Sequence, residues 1–372
     1  MGYEHAPWRD REHNAPIRVL HIAQILQGGT ASHLSELLPR QIAAWGSASV
    51  ALLAPSDQTL YLEDGVPEQL TTFPSSQRNL AALWQFGKAC GEAIRAFDPH
   101  IVHLHGTFAG FVGRIVTSLA PGLRRPTIYC SHGWAFNMRV SPLVQGSYAM
   151  AERALANRAD VIICISKYER NSALAHGLSK KRLAMVYNGI ADLPAAAAHP
   201  IEDHTPIRLV FVGRECPQKG FDILVEAMKQ LLDQPIVLEA IGPSPRPDLP
   251  ANVMARGWLS RAEVQERLGL ADALVMPSLW EGFGLAALEA MRLGKAVVAA
   301  DVDALPELVV DGVTGRLFKP GDPAALQTIL ASLRPAELGR MGKAGRTRFL
   351  THFTADVMHE QIARVYDRAL AP

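Results

Sequence analysis

The sequence predicts an α/β protein built as two doubly wound domains facing one another, and three observations carry that expectation. Short, almost wholly apolar runs recur along the chain with helix-length stretches between them; they are continuous rather than alternating, as strands covered on both faces are. The runs fall into two sets, separated by a Pro- and Ala-rich stretch at 194–207. A chain of 372 residues is long for one core and comfortable for two of about 150–200 residues.

Taken in order, the first set is RVLHIA (18–23), ASVALLA (48–54), IVHLHG (101–106), TIYCSH (127–132), DVIICIS (160–166) and LAMVYNG (183–189). The second is RLVFVG (208–213), IVLEAIG (236–242), DALVMPS (272–278) and AVVAAD (296–301). Helices alternating with such strands imply βαβ units and a parallel sheet in each half. From about Thr354 to Leu370 the pattern is that of one amphipathic helix. The expected organisation is therefore an N-terminal domain at 1–194, a linker at 195–206, a C-terminal domain at 207–353, and a final helix at 354–372.

Composition narrows the class. The 37 basic and 36 acidic residues nearly cancel, so no global field recruits nucleic acid or an anionic surface. Cys90, Cys130, Cys164 and Cys216 form no C-x-x-C pair, and three lie in or beside apolar runs, as buried free thiols in a reducing compartment do. The N-terminal stretch MGYEHAPWRDREHNAP has no apolar h-region, and Ala6 stands where a myristoylation signal wants Ser or Thr. No apolar run approaches the roughly 20 residues that span a bilayer. The expectation is a cytoplasmic protein.

Ligands in open α/β sheets bind at the carboxyl ends of the strands, so those ends are read in turn. After RVLHIA come Gly28 and Gly29, with Thr30 as a candidate helix N-cap. This is either an anion site beside a helix N-terminus or an ordinary tight turn. His103 and His105 share one face of a strand, and His132 ends the next; a metal needs three such ligands, but no carboxylate cluster accompanies them, and no metal is expected. His132, followed by a glycine, reads either as a group open to a ligand or as a satisfied core histidine. Ser166 and Glu169 fit a capping box, and Asn188-Gly189 is a turn signal. In VGRECPQKG, Arg214 and Lys219 bracket a short loop between a buried strand and a helix; they read either as two cations suited to a diphosphate or as solvated loop cations.

The segment PSLWEGFGLAALEAM places Glu281 before a Gly-Phe-Gly turn and Glu289 inside the helix behind it. Eight residues of helix rise about 12 Å, too far for a glycosidase pair at roughly 5–9.5 Å. A longer ligand could touch both: a sugar joined through a diphosphate to a nucleoside, with Glu281 on sugar hydroxyls and Glu289 on ribose hydroxyls. An ionised carboxylate accepts two hydrogen bonds from a vicinal diol.

This E-x7-E pattern, with VGRECPQKG before it and DGVTGRLF after it, resembles the GT4 family of retaining glycosyltransferases. The resemblance spans about residues 17–365 and is sharpest in the second half. It implies the GT-B fold, two Rossmann-like domains around a deep cleft, with the donor mainly on the C-terminal domain and the acceptor on the N-terminal one. By that likeness Arg214 and Lys219 hold the diphosphate, Glu281 the donor sugar and Glu289 the ribose. The amides of Phe283, Gly284 and Leu285 face the sugar and phosphates. His132 contacts the sugar beside the reacting carbon, Gly28-Gly29 closes over the phosphates, and the backbone around Gly257 and Trp258 meets the base, although Trp258 suits a core position equally.

The chain departs from the pattern in two places. Asp303-Ala304-Leu305 precede Pro306-Glu307 where many relatives have two glycines, which creates an Asp301-Val302-Asp303 that mimics a metal motif of another transferase fold. Asp192 falls one residue later than in the usual N-G-x-D. The implied activity is metal-independent, retaining transfer of a hexose, UDP- or GDP-linked, to a glycan or lipid-linked glycan in surface or exopolysaccharide assembly. A nucleotide-sugar co-substrate takes the place of a cofactor. The basic stretches GLRRP (122–126) and SKKR (179–182) are the places where the first domain could touch the inner face of a membrane. The alternatives are a nucleotide-sugar epimerase or phosphorylase of similar shape, or a non-catalytic sugar-nucleotide binding subunit.

Overall fold

The computed structural model describes residues 16–62, 66–74, 79–119, 121–193 and 206–371. The N-terminal stretch up to residue 15 and the linker read at 195–206, save its last residue, lie outside the described residues. The chain divides into two compact units, residues 1–189 with 355–372, and residues 190–354.

The first unit runs β1 (Val19–Ala23), α1 (Gly29–Trp45), β2 (Val50–Pro55), β3 (Gln69–Phe73), α2 (Leu80–Phe97), β4 (Ile101–His105), α3 (Thr107–Leu119), β5 (Thr127–Cys130), α4 (Pro142–Leu155), β6 (Val161–Cys164), α5 (Lys167–Ala175) and β7 (Leu183–Met185). All of its pairings are parallel, in the order β3-β2-β1-β4-β5-β6-β7. Strand order reverses between β1 and β4, and the ends of those strands are where a doubly wound sheet binds its ligand.

The second unit runs β8 (Ile207–Val212), α6 (Phe221–Lys229), β9 (Ile236–Ile241), β10 (Val253–Gly257), α7 (Arg261–Leu270), β11 (Ala273–Met276), α8 (Leu285–Arg292), β12 (Ala296–Ala300), α9 (Leu305–Leu308), β13 (Gly315–Phe318), α10 (Pro323–Ser332) and α11 (Pro335–His352). Its parallel sheet has the order β10-β9-β8-β11-β12-β13, with the reversal between β8 and β11. The chain then returns to the first unit as α12 (Ala355–Leu370).

Ten strands coincide with the apolar runs of the sequence, and three have no such run: β3, β10 and β13. All three lie at a sheet edge, where side chains are partly exposed, so their residues need not be apolar. Local signals fare unevenly. Ser166 accepts from the Glu169 amide at 3.0 Å, but the Glu169 carboxylate reaches the amide of Ile165 rather than that of Ser166, so the box is half formed. Thr30 is not the cap of α1; Gly28 holds that position, with φ of 58° and no side-chain cap. Asn188 is no turn residue either: it is buried and bonded to His33.

The sheet of the first unit has two unlike faces. On one, Leu20, Ile22, Val102 and Leu104 pack with Phe86, Cys90 and Ile94 of α2 in an apolar core. The alternate residues point the other way, and three of them are histidines. Parallel register puts His21 beside His103 and Ala23 beside His105. The helices α1 and α12 supply polar partners to these histidines, Gln41 and Tyr366, beside their own buried apolar residues. Burial at Met358, Ile362, Ala363 and Tyr366 follows the helical spacing that the sequence shows for α12.

Candidate functional site

In the second unit the site is built at the carboxyl ends of β8 and β11. The chain leaves β8 at Gly213, and exposed Arg214 follows, with its side chain in no ion pair among the described residues. The loop turns back at Gly220, whose φ of 62° and close approach to the carbonyl of Pro277 leave no room for a Cβ. That turn aims Lys219 at the loop after β11. Its ammonium meets the Glu281 carboxylate at 2.5 Å, with both side chains largely buried.

Glu281 is fixed from a second direction, since its backbone N–H donates to the carboxylate of Asp303 at 2.8 Å. Asp303 itself adopts φ of 51°, a left-handed conformation that Asp tolerates better than most residues. Asp303 thus combines a glycine-like backbone with a side chain that ties the loop to Glu281. Phe283 is buried against Phe353, and Gly284, at φ 98°, caps α8 where a Cβ would strike Leu305. The first turn of α8 starts at Leu285, and half-buried Glu289 lies one turn on. Trp258, which suited either core or ligand, is 75% exposed beside Gly257, so the core alternative is wrong.

In the first unit the strand ends converge on histidines. His21 Nδ1 lies 2.9 Å from His105 Nε2, and His105 Nδ1 lies 3.0 Å from His132 Nε2. His21 Nε2 reaches the Gln41 amide oxygen at 2.7 Å, Gln41 donates to the Tyr366 hydroxyl at 3.2 Å, and that hydroxyl lies 2.7 Å from His103 Nδ1. His33 packs edge-on against His132 and bonds Asn188. Burial pushes His21 and His33 down to about 4, and holds His103, His105 and His132 well below the usual imidazole range. These rings are neutral at pH 7. His132 has φ of 54°, a left-handed conformation uncommon outside glycine that histidine, like Asp, adopts more readily than most residues.

The trio of His103, His105 and His132 weighed in the sequence is not how the rings group. Among the described residues the ligand-type nitrogens gather as His21, His103 and His105, and as His33, His105 and His132. Tetrahedral zinc with Zn–N near 2.0–2.1 Å sets its nitrogens about 3.3–3.4 Å apart. The 2.9 and 3.0 Å separations here are those of hydrogen bonds between rings. Asp301 and Asp303 belong to neither group.

Gly28 and Gly29 are exposed, with open space where each Cβ would stand. Nearby, a cavity of about 250 Å³ opens at the ends of β1 and β4, lined by Ile25, Thr30, His105, Phe108, Met138 and Tyr148. A second cavity, lined by Arg124, Arg125 and Arg158, lies at the amino ends of β5 and β6, away from the ligand-binding end of a parallel sheet. Arg125 there is paired with Asp98 at 2.6 Å.

His21, His33, Gln41 and Tyr366 were not singled out from the sequence. The first had a signal: VLHIA and IVHLH align as neighbouring strands with histidines in register. The others sit on helices, and nothing local marks them.

Residues 28–189 match the glycosyl transferase 4-like domain, and residues 206–334 match the glycosyl transferases group 1 family. The chain is a group 1 glycosyltransferase. This glycosyltransferase is 29% identical over 329 residues to a Klebsiella pneumoniae protein described as an uncharacterized 41.2 kDa protein in the cps region, covering 85% of this chain and 90% of that one. It is 30% identical over 302 residues to an uncharacterized glycosyltransferase of Methanocaldococcus jannaschii, covering 78% and 81%. The crystal structure of Anabaena HepE in complex with UDP superposes with a TM-score of 0.79 at 20% identity, over 94% of this chain and 100% of that one. That likeness shows the fold, which is GT-B.

Proposed function

We propose that this glycosyltransferase moves a hexose from a UDP- or GDP-linked donor to a hydroxyl of a glycan or lipid-linked glycan, with retention at the anomeric carbon and without a divalent cation. The observation that carries this reading is the meeting of Lys219 and Glu281 at the β8–β11 reversal. A lysine ammonium has three donors, so one can hold Glu281 while two remain for diphosphate oxygens. Lys219 and Arg214 then stabilise the charge that grows on the leaving diphosphate, the work a metal does elsewhere.

In the same scheme Glu281 accepts from sugar hydroxyls, Glu289 from the ribose, and the amides of Phe283, Gly284 and Leu285 face the phosphates at the start of α8. The backbone at Gly257 and Trp258 meets the base. In the first unit Gly28 and Gly29 close on the phosphates, His132 contacts the sugar, and the cavity beside Phe108 and Tyr148 takes the acceptor. The acceptor hydroxyl attacks the anomeric carbon from the face that the diphosphate leaves, and its proton passes to the departing phosphate oxygen. Catalysis is then positioning plus charge stabilisation.

UDP in the HepE complex supports the donor class, and the cps region of the Klebsiella relative supports the setting. Among the described residues no helix is long and apolar enough to cross a membrane. Work at the inner face of the cytoplasmic membrane would rest on exposed Arg124, Lys180 and Lys181.

The test is a thermal-shift panel of UDP, GDP, ADP and their sugars, followed by product analysis by proton NMR after exhaustive EDTA treatment. A nucleotide at a hundredfold its Kd raises stability by about 2.7 kcal/mol. Expected are a shift with one nucleotide and an α-linked product from an α-linked donor in EDTA. An inverted anomer, or turnover lost in EDTA and restored by manganese, overturns the mechanism.

A further inference from the structure

The hydrogen bonds among the buried histidines can be assigned a direction. The Gln41 amide turns its oxygen to His21, and an oxygen only accepts; in this arrangement His21 carries its proton on Nε2 and offers a bare Nδ1. His105 therefore donates from Nε2 to His21 and accepts at Nδ1, and His132 donates to it from Nε2. A neutral imidazole has one N–H and one lone pair, so the choice made at Gln41 passes unchanged from ring to ring. At the other end of the amide Gln41 donates to Tyr366, whose hydroxyl then donates to His103 Nδ1 and leaves the buried His103 Nε2–H without a partner among the described residues.

We propose that Gln41 and Tyr366, acting through His21 and His105, lock His132 in one neutral tautomer, with its proton on Nε2 and a bare Nδ1. Nδ1 lies 3.6 Å from the Cys130 thiol, a weak donor that a ligand hydroxyl can replace. His132 thus meets a ligand as an acceptor, suited to a neutral hydroxyl and not to an anion. Gln41 and Tyr366 are positioning residues, one on α1 and one on the C-terminal helix α12. The consequence for sugar binding rests on the proposed contact of His132 with the donor sugar; the tautomer itself does not.

The experiment is nitrogen-15 imidazole NMR of histidine-labelled protein near pH 7.5 without substrate, with His132 assigned from a His132→Asn variant. The native protein should show His132 with its proton on Nε2 alone. Gln41→Met, three hydrogen bonds away, should turn His132 into a mixture of tautomers. It should also raise the donor-sugar KM several-fold while leaving the Kd for free nucleoside diphosphate unchanged. A native proton on Nδ1, or an unchanged His132 spectrum in folded Gln41→Met, overturns the proposal. If Gln41→Met does not fold, the native spectrum decides it. Absence of transfer with every donor would overturn the functional reading and leave the tautomer result intact.

Discussion

Lys219 and Glu281 make a pair whose members should fail differently. Glu281→Ala should lower turnover severely while free nucleoside diphosphate affinity stays within a few-fold, because the carboxylate is assigned to the sugar. Lys219→Ala should cut turnover by more than about tenfold, some 1.4 kcal/mol of barrier. Lys219→Arg should also be harmful, since a planar fork cannot replace a compact ammonium between a carboxylate and a diphosphate. Steady-state kinetics with nucleotide titrations checks both; normal turnover at saturation in Glu281→Ala would reverse the assignment. For Glu289, one turn into α8, the readout is the ribose. Glu289→Ala should weaken nucleotide binding and discriminate less against a 2′-deoxy donor. Equal discrimination in the two proteins removes the role.

At the scale of elements, the position of α8 depends on backbone approaches that no side chain can share. Gly342 of α11 lies where a Cβ would sit 1.9 Å from the carbonyl of Gly294, just past the end of α8. Gly342→Ala should push α11 away from α8 and destabilise the second unit by about 1–3 kcal/mol, read by urea unfolding. Nucleotide affinity should fall with it, because Glu289 and the first-turn amides ride on α8. A neutral effect on both would show that α11 does not hold α8 in place. In the first unit, α3 packs as closely: Gly110 faces the Tyr129 ring and Gly113 faces Leu104, with no room for a Cβ at either. Buried Arg114 on the same helix pairs with Glu152 at 2.8 Å, and Tyr129 donates to that carboxylate at 3.0 Å.

At the scale of the molecule, the buried histidines set a pH limit on the first unit. Burial lowers His21 and His33 from 6.5 to about 4, so the unfolded chain binds protons in that window that the folded one refuses. Their contribution is fully present above pH 6.5 and is lost as pH falls towards 4, on the order of 3 kcal/mol for each ring. His103, His105 and His132 act in the same direction. Urea unfolding over a pH series should show stability of the first unit level above about pH 7 and falling steeply below 6.5. A level profile from pH 7 to 5 would mean that these rings are not buried as neutral groups.

The sequence by itself determined the two parallel sheets and put the residues proposed for the donor at strand ends, because both are written locally. A strand covered on both faces must be apolar along its length, and the loop carrying Arg214 and Lys219, like the turn between Glu281 and Glu289, is a contiguous string at a strand end. What is not local could not be read. The edge strands β3, β10 and β13 lack the apolar signature because their side chains are only partly covered. Asp303 stood in the sequence only as an accidental mimic of a metal motif; its φ and its bond to the Glu281 amide give it a part in the loop that no local pattern marks. Asn188 looked like a turn and proved to be a buried partner of His33. Above all, His132 was legible as a strand-end histidine but not as the last ring of a chain. That chain joins residues from β1, β4, α1 and α12, up to 325 positions apart at Gln41 and Tyr366. Strand register and the return of the last helix, both long-range choices, bring those side chains within a hydrogen bond of one another.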